Sequence, residues 1–375
     1  MIGSSFNKVT VSLSALCHNY HLLRRRAGEN VKLLAMVKAD AYGHGMIKVA
    51  RELSKVGCES FGVAELCEAI NLREAGIKGE IFVFLGFPIA DAACFFDYNL
   101  TPIIFDIESA EVLSSKAVMR NQEIRVHVKV DCGMTRLGIF PEDFESFSAE
   151  LAMLPGIVLA GVASHFPRAD EADSDNTIEQ FERFLRILPY ALTKDDLVRH
   201  TANSGAILNF PETCCEMARA GIALYGYYPD GVAGIAAEKK EKLQPVMSFS
   251  SQVLQVKIVP AGVGVSYGHC FITSKPTRLA VLPVGYEDGL SRSLSNKAEV
   301  LIGGKRARIR GRVCMNLCMV DVTDIEGVTV GDEVIFLGRQ GKDCISSDEI
   351  AGWMDSISYE VLCLFGNNNE RKYIE

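Results

Sequence analysis

The sequence predicts an α/β protein: a (β/α)₈ TIM barrel over residues 1–240, followed by a mainly-β domain over residues 241–375. Between about residue 30 and residue 225, short apolar or β-branched runs alternate with segments of helical periodicity, which is typical of parallel strands joined by crossover helices. Eight such units follow one another, and this number favours a closed barrel over an open sheet. After residue 242 the pattern changes to period-two β signals with few helices, which indicates a second domain.

The elements follow from the periodicity in chain order. The predicted barrel strands are residues 32–38, 60–63, 81–85, 101–105, 125–130, 156–164, 197–203 and 216–224. Among the predicted helices are residues 46–56, 64–75, 142–151 and 176–192. The charged stretch 238–242 is interpreted as a linker, and Gly303 with Gly304 predicts a hairpin between alternating strands. The alternating KVTVSL run is expected to pair the first 12 or so residues with the C-terminal domain.

Composition and charge exclude several classes of function. The net charge of −8 leaves no basic surplus for phosphate backbones, so no nucleic-acid partner is expected. The N-terminus lacks the apolar core of a secretory signal, and the longest apolar stretch is broken by Pro88 and Asp91. We therefore expect a cytoplasmic protein without a membrane partner.

The twelve cysteines are scattered and mostly flanked by apolar residues, which is typical of reduced thiols rather than of a disulfide framework. Neither the pair Cys314 and Cys318 nor the adjacent Cys214 and Cys215 has a second pair to complete a four-ligand set. No metal site is expected.

Barrel enzymes carry their working residues at the C-terminal ends of the strands. The polar residues that fall there are Lys38, Lys129, Asp131, His165, Asn203, Ser204, Arg219 and Gly221. Lys38 follows the apolar run LLAMV, and a desolvated setting of this kind lowers an ammonium pKa and frees a nucleophile for Schiff-base formation. The structural alternatives are that Lys38 is a solvated lysine at a strand end and that His165 and His200 are histidines of the core. The backbone N–H groups at Gly221 and Ile222 suit an anion such as phosphate.

Taken together, the motifs closely resemble those of bacterial alanine racemases, the fold-type III enzymes that use pyridoxal 5′-phosphate. The resemblance runs end to end and in the family's order, through AMVKADAYGHG, VHVKVDCGMTRLG, TANSGA, ARAGIALYG, GVSYG, PVGYEDG, RGRVCMN and SYEVLC. It implies an isomerase that interconverts L-alanine and D-alanine and supplies D-alanine for peptidoglycan.

The resemblance also assigns the site. The implied cofactor-binding residues are Lys38, Tyr42, His165, Asn203, Ser204, Arg219, Gly221, Ile222 and Tyr359. Lys38 would carry the cofactor covalently, and Arg219 would face its pyridine nitrogen. Arg136 would approach the ring hydroxyl and the substrate carboxylate, braced by a carbamylated Lys129.

Racemisation needs a base on each face of a planar intermediate. The resemblance assigns Lys38 to one face and Tyr267, from the second subunit, to the other. Met315 is implied to reach the pocket from that same partner subunit, so a homodimer with shared active sites is expected.

One departure from the family's pattern bears on the substrate. Asn316 stands where the family usually has aspartate, which keeps a serine or broad-specificity racemase as a competing hypothesis. Tyr359 favours alanine, because serine-preferring relatives tend to carry a smaller or more polar residue there. Two further hypotheses are a non-enzymatic pyridoxal-phosphate carrier and a decarboxylase. The C-terminal domain with Tyr267 and Met315 argues against the carrier, and racemase motifs in both halves argue against the decarboxylase.

Overall fold

The computed structural model describes residues 5–172, 174–188, 197–229 and 242–375. The chain divides into two compact units. The barrel unit comprises Leu16–Ala41 and Met46–Gln244, and the β unit comprises Met1–Ala15, Tyr42–Gly45 and Pro245–Glu375. The short Tyr42–Gly45 segment therefore groups with residues that lie 200 or more positions later in the chain.

A parallel eight-stranded sheet forms the barrel unit in the described part of the chain. Strand β1 (Lys8–Ser12) belongs to the β unit. The eight barrel strands in chain order are β2 (Lys32–Met36), β3 (Ser60–Val63), β4 (Glu80–Val83), β5 (Thr101–Ile104), β6 (Ile124–Lys129), β7 (Ile157–Ala163), β8 (Val198–His200) and β9 (Met217–Ala220). The sheet order is β8-β7-β6-β5-β4-β3-β2-β9. The Arg219 N–H donates to the carbonyl of Ala202 at 2.9 Å, which links β9 to the segment after β8 and nearly closes the barrel. The predicted fold class is confirmed.

The barrel interior accommodates the large polar side chain of His127 because the neighbouring strand β7 has a glycine, Gly161, opposite it. The β6–β7 register shifts between Val126 and His127, and His127 then lies opposite Gly161. A Cβ at Gly161 would come within 2.3 Å of the His127 ring, so any other residue would displace the imidazole. This packing leaves His127 only 2% exposed within the sheet.

Helices follow the strands as the periodicity predicted. They are α1 (Leu13–Ala27), α2 (Met46–Lys55), α3 (Leu66–Glu74), α4 (Cys94–Asp97), α5 (Ile107–Arg120), α6 (Phe144–Ala152), α7 (Asp175–Ile187) and α8 (Ser204–Asn209). In α2, the buried residues Met46, Val49, Ala50 and Leu53 form the single apolar stripe that anchors an amphipathic helix. The last predicted residues of the 176–192 helix, 189–192, and most of the 238–242 linker lie outside the described residues.

The β unit contains the remaining strands and two helices of the described chain. The strands are β10 (Met247–Gln252), β11 (Gln255–Val259), β12 (Thr277–Leu282), β13 (Glu299–Ile302), β14 (Lys305–Arg308), β15 (Cys318–Asp321), β16 (Glu333–Gln340), β17 (Asp343–Ile345) and β18 (Arg371–Ile374), and the helices are α9 (Ser347–Met354) and α10 (Ser358–Asn367). Strand β1 pairs antiparallel with β10 and parallel with β18.

The predicted hairpin at Gly303 and Gly304 is confirmed. Strands β13 and β14 pair with Ile302 opposite Lys305, which leaves the two glycines as a two-residue loop. Their φ angles of 59° and 74° are the pair of positive values that a type I′ hairpin turn requires.

Among the described residues, no helix combines the length and apolar character needed to cross a membrane. All twelve cysteines lie in the described part of the chain, and each is a free thiol.

Candidate active site

Lys38 lies where strand β2 gives way to a left-handed turn. The sequence predicted a strand to residue 38, but β2 ends at Met36, and Ala39, Asp40, Ala41 and Tyr42 all have φ between 52° and 56°. Non-glycine residues in this region cost roughly 1–2 kcal/mol each, so a run of four is a strongly strained feature. Backbone strain of this kind is concentrated at functional sites.

Hydrogen bonds from both flanks of the turn offset this strain. The Ala39 N–H donates to Oε1 of Glu68 at 2.7 Å, and Oδ1 of Asp40 accepts from the Met46 N–H at 2.7 Å. The Ala41 N–H closes the turn on the carbonyl of Val37 at 2.8 Å. The position of the partly buried Lys38 side chain is thus set by a rigid backbone.

Arg219 is buried at the end of β9, with 4% of its surface exposed. Its Nη1 donates to the carbonyl of His200 at 2.6 Å, and its Nη2 donates to the carbonyls of Ser164 at 2.6 Å and Thr201 at 3.0 Å. The two terminal nitrogens also approach ring nitrogens, Nδ1 of His200 at 3.0 Å and Nδ1 of His165 at 3.1 Å. The guanidinium is therefore held from several sides.

These contacts dictate the tautomers of a buried histidine chain. A guanidinium can only donate, so Nδ1 of His200 and Nδ1 of His165 must accept. The proton of His200 then lies on Nε2, from which it is donated to Nδ1 of His127 at 2.8 Å. The chain runs from Arg219 through His200 to His127, and each member fixes the orientation of the next.

Burial keeps these histidines neutral. It lowers the pKa of His127 to about 3, assisted by the charges of Arg125 and Lys32. Burial, followed by the charge of Arg219, also holds the pKa of His200 well below its ordinary value. An uncharged histidine pair beside a buried guanidinium avoids like-charge repulsion.

We expect this histidine pair to make the protein acid-labile. Since both folded pKa values lie below the ordinary value, the unfolded chain binds more protons below about pH 6.5, and for His127 this holds down to about pH 3. Stability is then full above that window and falls with pH inside it, by about 1.4 kcal/mol per pH unit for each histidine. Urea unfolding measured from pH 7.5 to 4.5 should show this slope.

His127→Asn is expected to reduce the measured slope by one histidine's contribution, about 1.4 kcal/mol per pH unit, while His200 and His165 still contribute theirs. Asparagine can still accept from His200 but does not titrate in this range. The matched control is His21→Asn, at an exposed position of helix α1. Equal slopes for the two variants would contradict the assignment of the acid lability to the buried pair.

Several cations surround His165 at the C-terminal ends of the strands. Burial is the main cause that holds the pKa of His165 well below its ordinary value, and the charges of Lys129, Arg219, Arg136 and Lys38 add to it. Burial, Arg219 and Arg136 likewise lower the pKa of Lys129 far below that of an ordinary lysine. A site with this surplus of positive charge suits an anionic ligand.

Asp131 orients the loop that carries Arg136. Its Oδ1 accepts from the N–H groups of Gly133 and Thr135 at 3.0 Å, and its Oδ2 accepts from the N–H of Arg136 at 2.7 Å. Burial works to raise the pKa of Asp131, but these hydrogen bonds outweigh it and hold the pKa below its ordinary value. The strand-end pattern placed Asp131 here but did not indicate this role.

Two chain segments bring buried backbone donors together beside the barrel strands. The hydroxyl of Ser204, at the start of α8, accepts from the N–H of Gly221 at 2.8 Å and of Ala223 at 3.3 Å. The N–H groups of Ser204, Gly205 and Ile222 have no acceptor within the part of the chain that the structure describes. Such unsatisfied buried donors fit a phosphate group.

Asn203 closes the N-terminus of α8. Its Oδ1 accepts from the N–H of Ala206 at 3.1 Å, and its Nδ2 donates to the carbonyl of Phe166 at 3.0 Å. In this conformation Asn203 fixes the direction of the helix that presents the free N–H groups.

Two tyrosines of the predicted site lie together within the β unit. The rings of Tyr42 and Tyr359 are 5.9 Å apart between centroids, and burial followed by the proximity of Tyr359 raises the pKa of Tyr42. The Tyr42 phenol therefore stays protonated at neutral pH and can donate a hydrogen bond.

The β unit also carries Tyr267 and Met315, which are 72% and 54% exposed. Beside Met315, the amide of Asn316 donates to the carboxylate of Glu287. The N–H of Glu287 in turn donates to the carbonyl of Met315 at 3.0 Å, so the two loops are joined through both backbone and side chains.

The C-terminal ends of the barrel strands carry Lys38 on its strained turn, several cationic side chains and unsatisfied backbone N–H groups that suit a phosphate. This combination defines a barrel enzyme with an anionic cofactor. The N-terminal domain of alanine racemases matches residues 11–229, and their C-terminal domain matches residues 246–373. The chain belongs to the alanine racemase family. This is a family of pyridoxal-phosphate-dependent isomerases, so the predicted enzyme class and cofactor are confirmed.

Relatives cover the full length of the chain. The alanine racemase of Thermodesulfovibrio yellowstonii is 42% identical over 376 residues, with 99% of this chain and 98% of that protein covered. The crystal structure of alanine racemase from Bacillus anthracis with bound L-Ala-P has 31% identity and a TM-score of 0.92, with 100% of this chain and 96% of that chain covered. The structure from Bartonella henselae with covalently bound pyridoxal phosphate has 28% identity and a TM-score of 0.90, with 99% of this chain and 100% of that chain covered.

Proposed function

We propose that this protein interconverts L-alanine and D-alanine with pyridoxal 5′-phosphate in the cytoplasm, and supplies D-alanine for peptidoglycan. The observation that carries the proposal is Lys38 on its left-handed turn, where its positive charge contributes to the lowered pKa of the partly buried His165 beside Arg219. Membership of the alanine racemase family supports it.

Bound pyridoxal phosphate supplies an electron sink that makes the α-hydrogen of an attached amino acid acidic. In the proposed complex Arg219 would donate a hydrogen bond to the pyridine nitrogen. A guanidinium does not release its proton near neutral pH. Burial, followed by the nearby charge of Arg136, lowers the pKa of Arg219 only to about 10. The nitrogen therefore stays unprotonated, which limits charge withdrawal and favours return of a proton to the same carbon.

The proposed phosphate ligands are donors of two kinds. The unsatisfied backbone N–H groups of Ser204 and Ile222 are proposed to donate to the phosphate. Gly221 is proposed to line the same site, with its N–H held by the Ser204 hydroxyl, and the hydroxyl groups of Tyr42 and Tyr359 are proposed as further ligands. His165 and Asn203 are proposed to support the cofactor from the barrel side. His165 is held there by Arg219, and Asn203 is held by the Ala206 N–H of helix α8.

Lys129 is proposed to carry a carbamate that braces Arg136, the residue proposed to bind the substrate carboxylate. The pKa of Lys129 is lowered strongly, so its amine is available unprotonated. Addition of this amine to carbon dioxide forms an N–C bond and releases one proton, which leaves an anion next to Arg136. The modification thus replaces a neutral amine by an anion that can form an ion pair with Arg136.

Lys38 and Tyr267 are proposed as the bases on the two faces of the substrate. We further propose that Tyr267 and Met315 act in the barrel of a second subunit, within a homodimer. The high exposure of both side chains supports this, because large apolar and aromatic residues exposed together are typical of interaction surfaces. In this proposal residues 1–240 form the cofactor domain, apart from the first 12 or so, and residues 241–375 complete the partner's site.

Alanine is the proposed substrate, with a serine or broad-specificity racemase as the second candidate. The observation behind the second candidate is Asn316. Its side-chain amide donates a hydrogen bond to the Glu287 carboxylate, whereas an aspartate at this position would repel that carboxylate. Discrimination between a methyl and a hydroxymethyl group is modest, roughly 1–3 kcal/mol in a pocket that does not bind the hydroxyl, so slow serine turnover is expected even from an alanine enzyme.

The test is the loss of optical activity of L-alanine and L-serine, run side by side on cofactor-loaded protein after the visible spectrum is recorded. Cofactor absorbance with fast alanine and slow serine turnover is the expected result. Comparable serine turnover would favour the broad-specificity enzyme. Cofactor absorbance without racemisation of either would overturn the proposal and leave a carrier or a decarboxylase.

A further inference from the structure

Tyr267 is carried at the tip of a short hairpin formed by residues 262–273. The N–H of Gly262 donates to the carbonyl of Thr273 at 2.6 Å, the N–H of Thr273 to the carbonyl of Val263 at 3.0 Å, and the N–H of Val265 to the carbonyl of Phe271 at 2.9 Å. The arms are therefore well ordered up to residue 265, and the tip begins at Ser266.

The backbone of the tip is strained where it turns toward Tyr267. Ser266 has φ 61° and ψ −170°, a combination almost confined to glycine. Gly268 and His269 follow with φ values of 68° and 45°. A glycine at position 266 would adopt this conformation without strain, so the serine needs a reason in its side chain.

The side chain of Ser266 anchors the tip to residues 311–314, which we call the anchor segment. Its hydroxyl donates to the carbonyl of Arg312 at 2.7 Å and lies 3.3 Å from Sγ of Cys314. A Cβ at Gly311 would come within 2.5 Å of the carbonyl oxygen of Val265, so the two backbones are in direct contact just before the turn. The strained residue is thus fixed at both its backbone and its hydroxyl.

A second contact holds the far side of the tip. A Cβ at Gly268 would lie 3.4 Å from Nε of Arg312, so the Arg312 side chain passes alongside the residue after Tyr267. The anchor segment therefore binds the residue before Tyr267 and lies beside the residue after it, while Tyr267 itself is 72% exposed. Fixing the flanking residues fixes the direction in which the phenol projects.

We propose that Ser266 is a positioning residue for Tyr267: its hydroxyl, held by the anchor segment, sets the phenol at the height and angle needed for proton transfer. This inference rests on the proposed function of Tyr267 as the base on one face. A displacement of about 1 Å in such a group can lower the rate roughly a hundredfold. A rigid tip is therefore needed for catalysis and not only for the stability of the hairpin.

The experiment compares Ser266→Gly and Ser266→Ala with Tyr267→Phe, with Ser293→Ala at an exposed position of the β unit as the matched control. Each enantiomer of alanine is incubated with cofactor-loaded enzyme in D₂O, and both inversion and exchange of the α-hydrogen in the unreacted enantiomer are measured. Urea unfolding is recorded for every variant.

If Tyr267 is misplaced, the enantiomer whose α-hydrogen faces Lys38 should still exchange it but should not invert, while the other enantiomer should do neither. We expect this one-sided pattern for both Ser266 variants, with inversion reduced roughly ten- to a hundredfold in both directions. Ser266→Gly should unfold at no lower urea concentration than the wild type, because glycine relieves the strain.

Normal inversion in Ser266→Gly, or a parallel loss of exchange for both enantiomers, would overturn the positioning role. The Tyr267→Phe variant separates the two hypotheses. If it lacks the one-sided pattern, the proposed base is wrong and the inference fails with it; if it shows the pattern and the Ser266 variants do not, the inference alone fails.

Discussion

Lys38→Ala is expected to abolish the covalent attachment of pyridoxal phosphate and to reduce racemisation by about a thousandfold or more. In the proposed mechanism Lys38 provides both the amine that holds the cofactor and the base on one face, so one substitution removes two functions. The measurement is the visible absorbance of the bound cofactor together with the rate of loss of optical activity. Borohydride treatment followed by mass spectrometry should add the cofactor mass to the wild type and not to the variant.

The matched control is Lys32→Ala. Lys32 is the exposed first residue of β2, the strand that ends just before Lys38, and the variant should retain both absorbance and rate. Racemisation by Lys38→Ala at close to the wild-type rate would remove Lys38 from the site. Loss of covalent attachment with an unchanged rate would separate its two proposed functions and exclude it as a base.

The barrel could be predicted because its signals are local and repeated. Each predicted strand coincides within a few residues with an observed one, since apolar runs bounded by turn residues are a reliable signal in parallel sheets. The C-terminal strand β18 was not predicted, because the polar sequence RKYI forms a strand only through its parallel pairing with β1, more than 350 residues away.

The site could be predicted as a set of strand-end residues but not as a geometry. The position of Lys38 after LLAMV indicated a functional lysine, yet the same pattern extended β2 to residue 38. The left-handed turn that interrupts the strand depends on Glu68 and Asp40 accepting from turn and flanking amides, and only one of these lies nearby in sequence. Side-chain acceptors of this kind leave no periodic signal.

The histidine chain illustrates the same limit. His127 falls in the middle of a predicted strand, where a core histidine is the ordinary expectation, and nothing in VHVKV points to His200. Their contact requires the register shift in β6 and the absent side chain of Gly161. Likewise, the strain at Ser266 is a property of the hairpin and its anchor segment rather than of the GVSYG motif.

Tyr267→Phe is expected to keep the cofactor bound and to slow racemisation in both directions by roughly a hundred- to ten-thousandfold. The substitution removes only the hydroxyl, and inversion in either direction needs a proton transfer on each face. The measurement is the initial rate from each enantiomer beside an unchanged visible spectrum. Tyr98→Phe is the control, because its hydroxyl donates to Glu74 on the outer helix α3. A near-normal rate for Tyr267→Phe would remove it from the two-base scheme.

Combining this variant with Lys38→Ala tests whether the two bases come from different subunits. If Tyr267 serves the partner's barrel, a hybrid dimer of the two inactive chains contains one complete site, formed by Lys38 of one subunit and Tyr267 of the other. Random pairing on co-expression makes half of the dimers hybrids, each with one of its two sites intact, so about a quarter of the wild-type activity should return. If both bases came from the same chain, every site would lack one of them. Absence of recovery in isolated hybrid dimers would therefore contradict the shared site while leaving the two-base assignment intact.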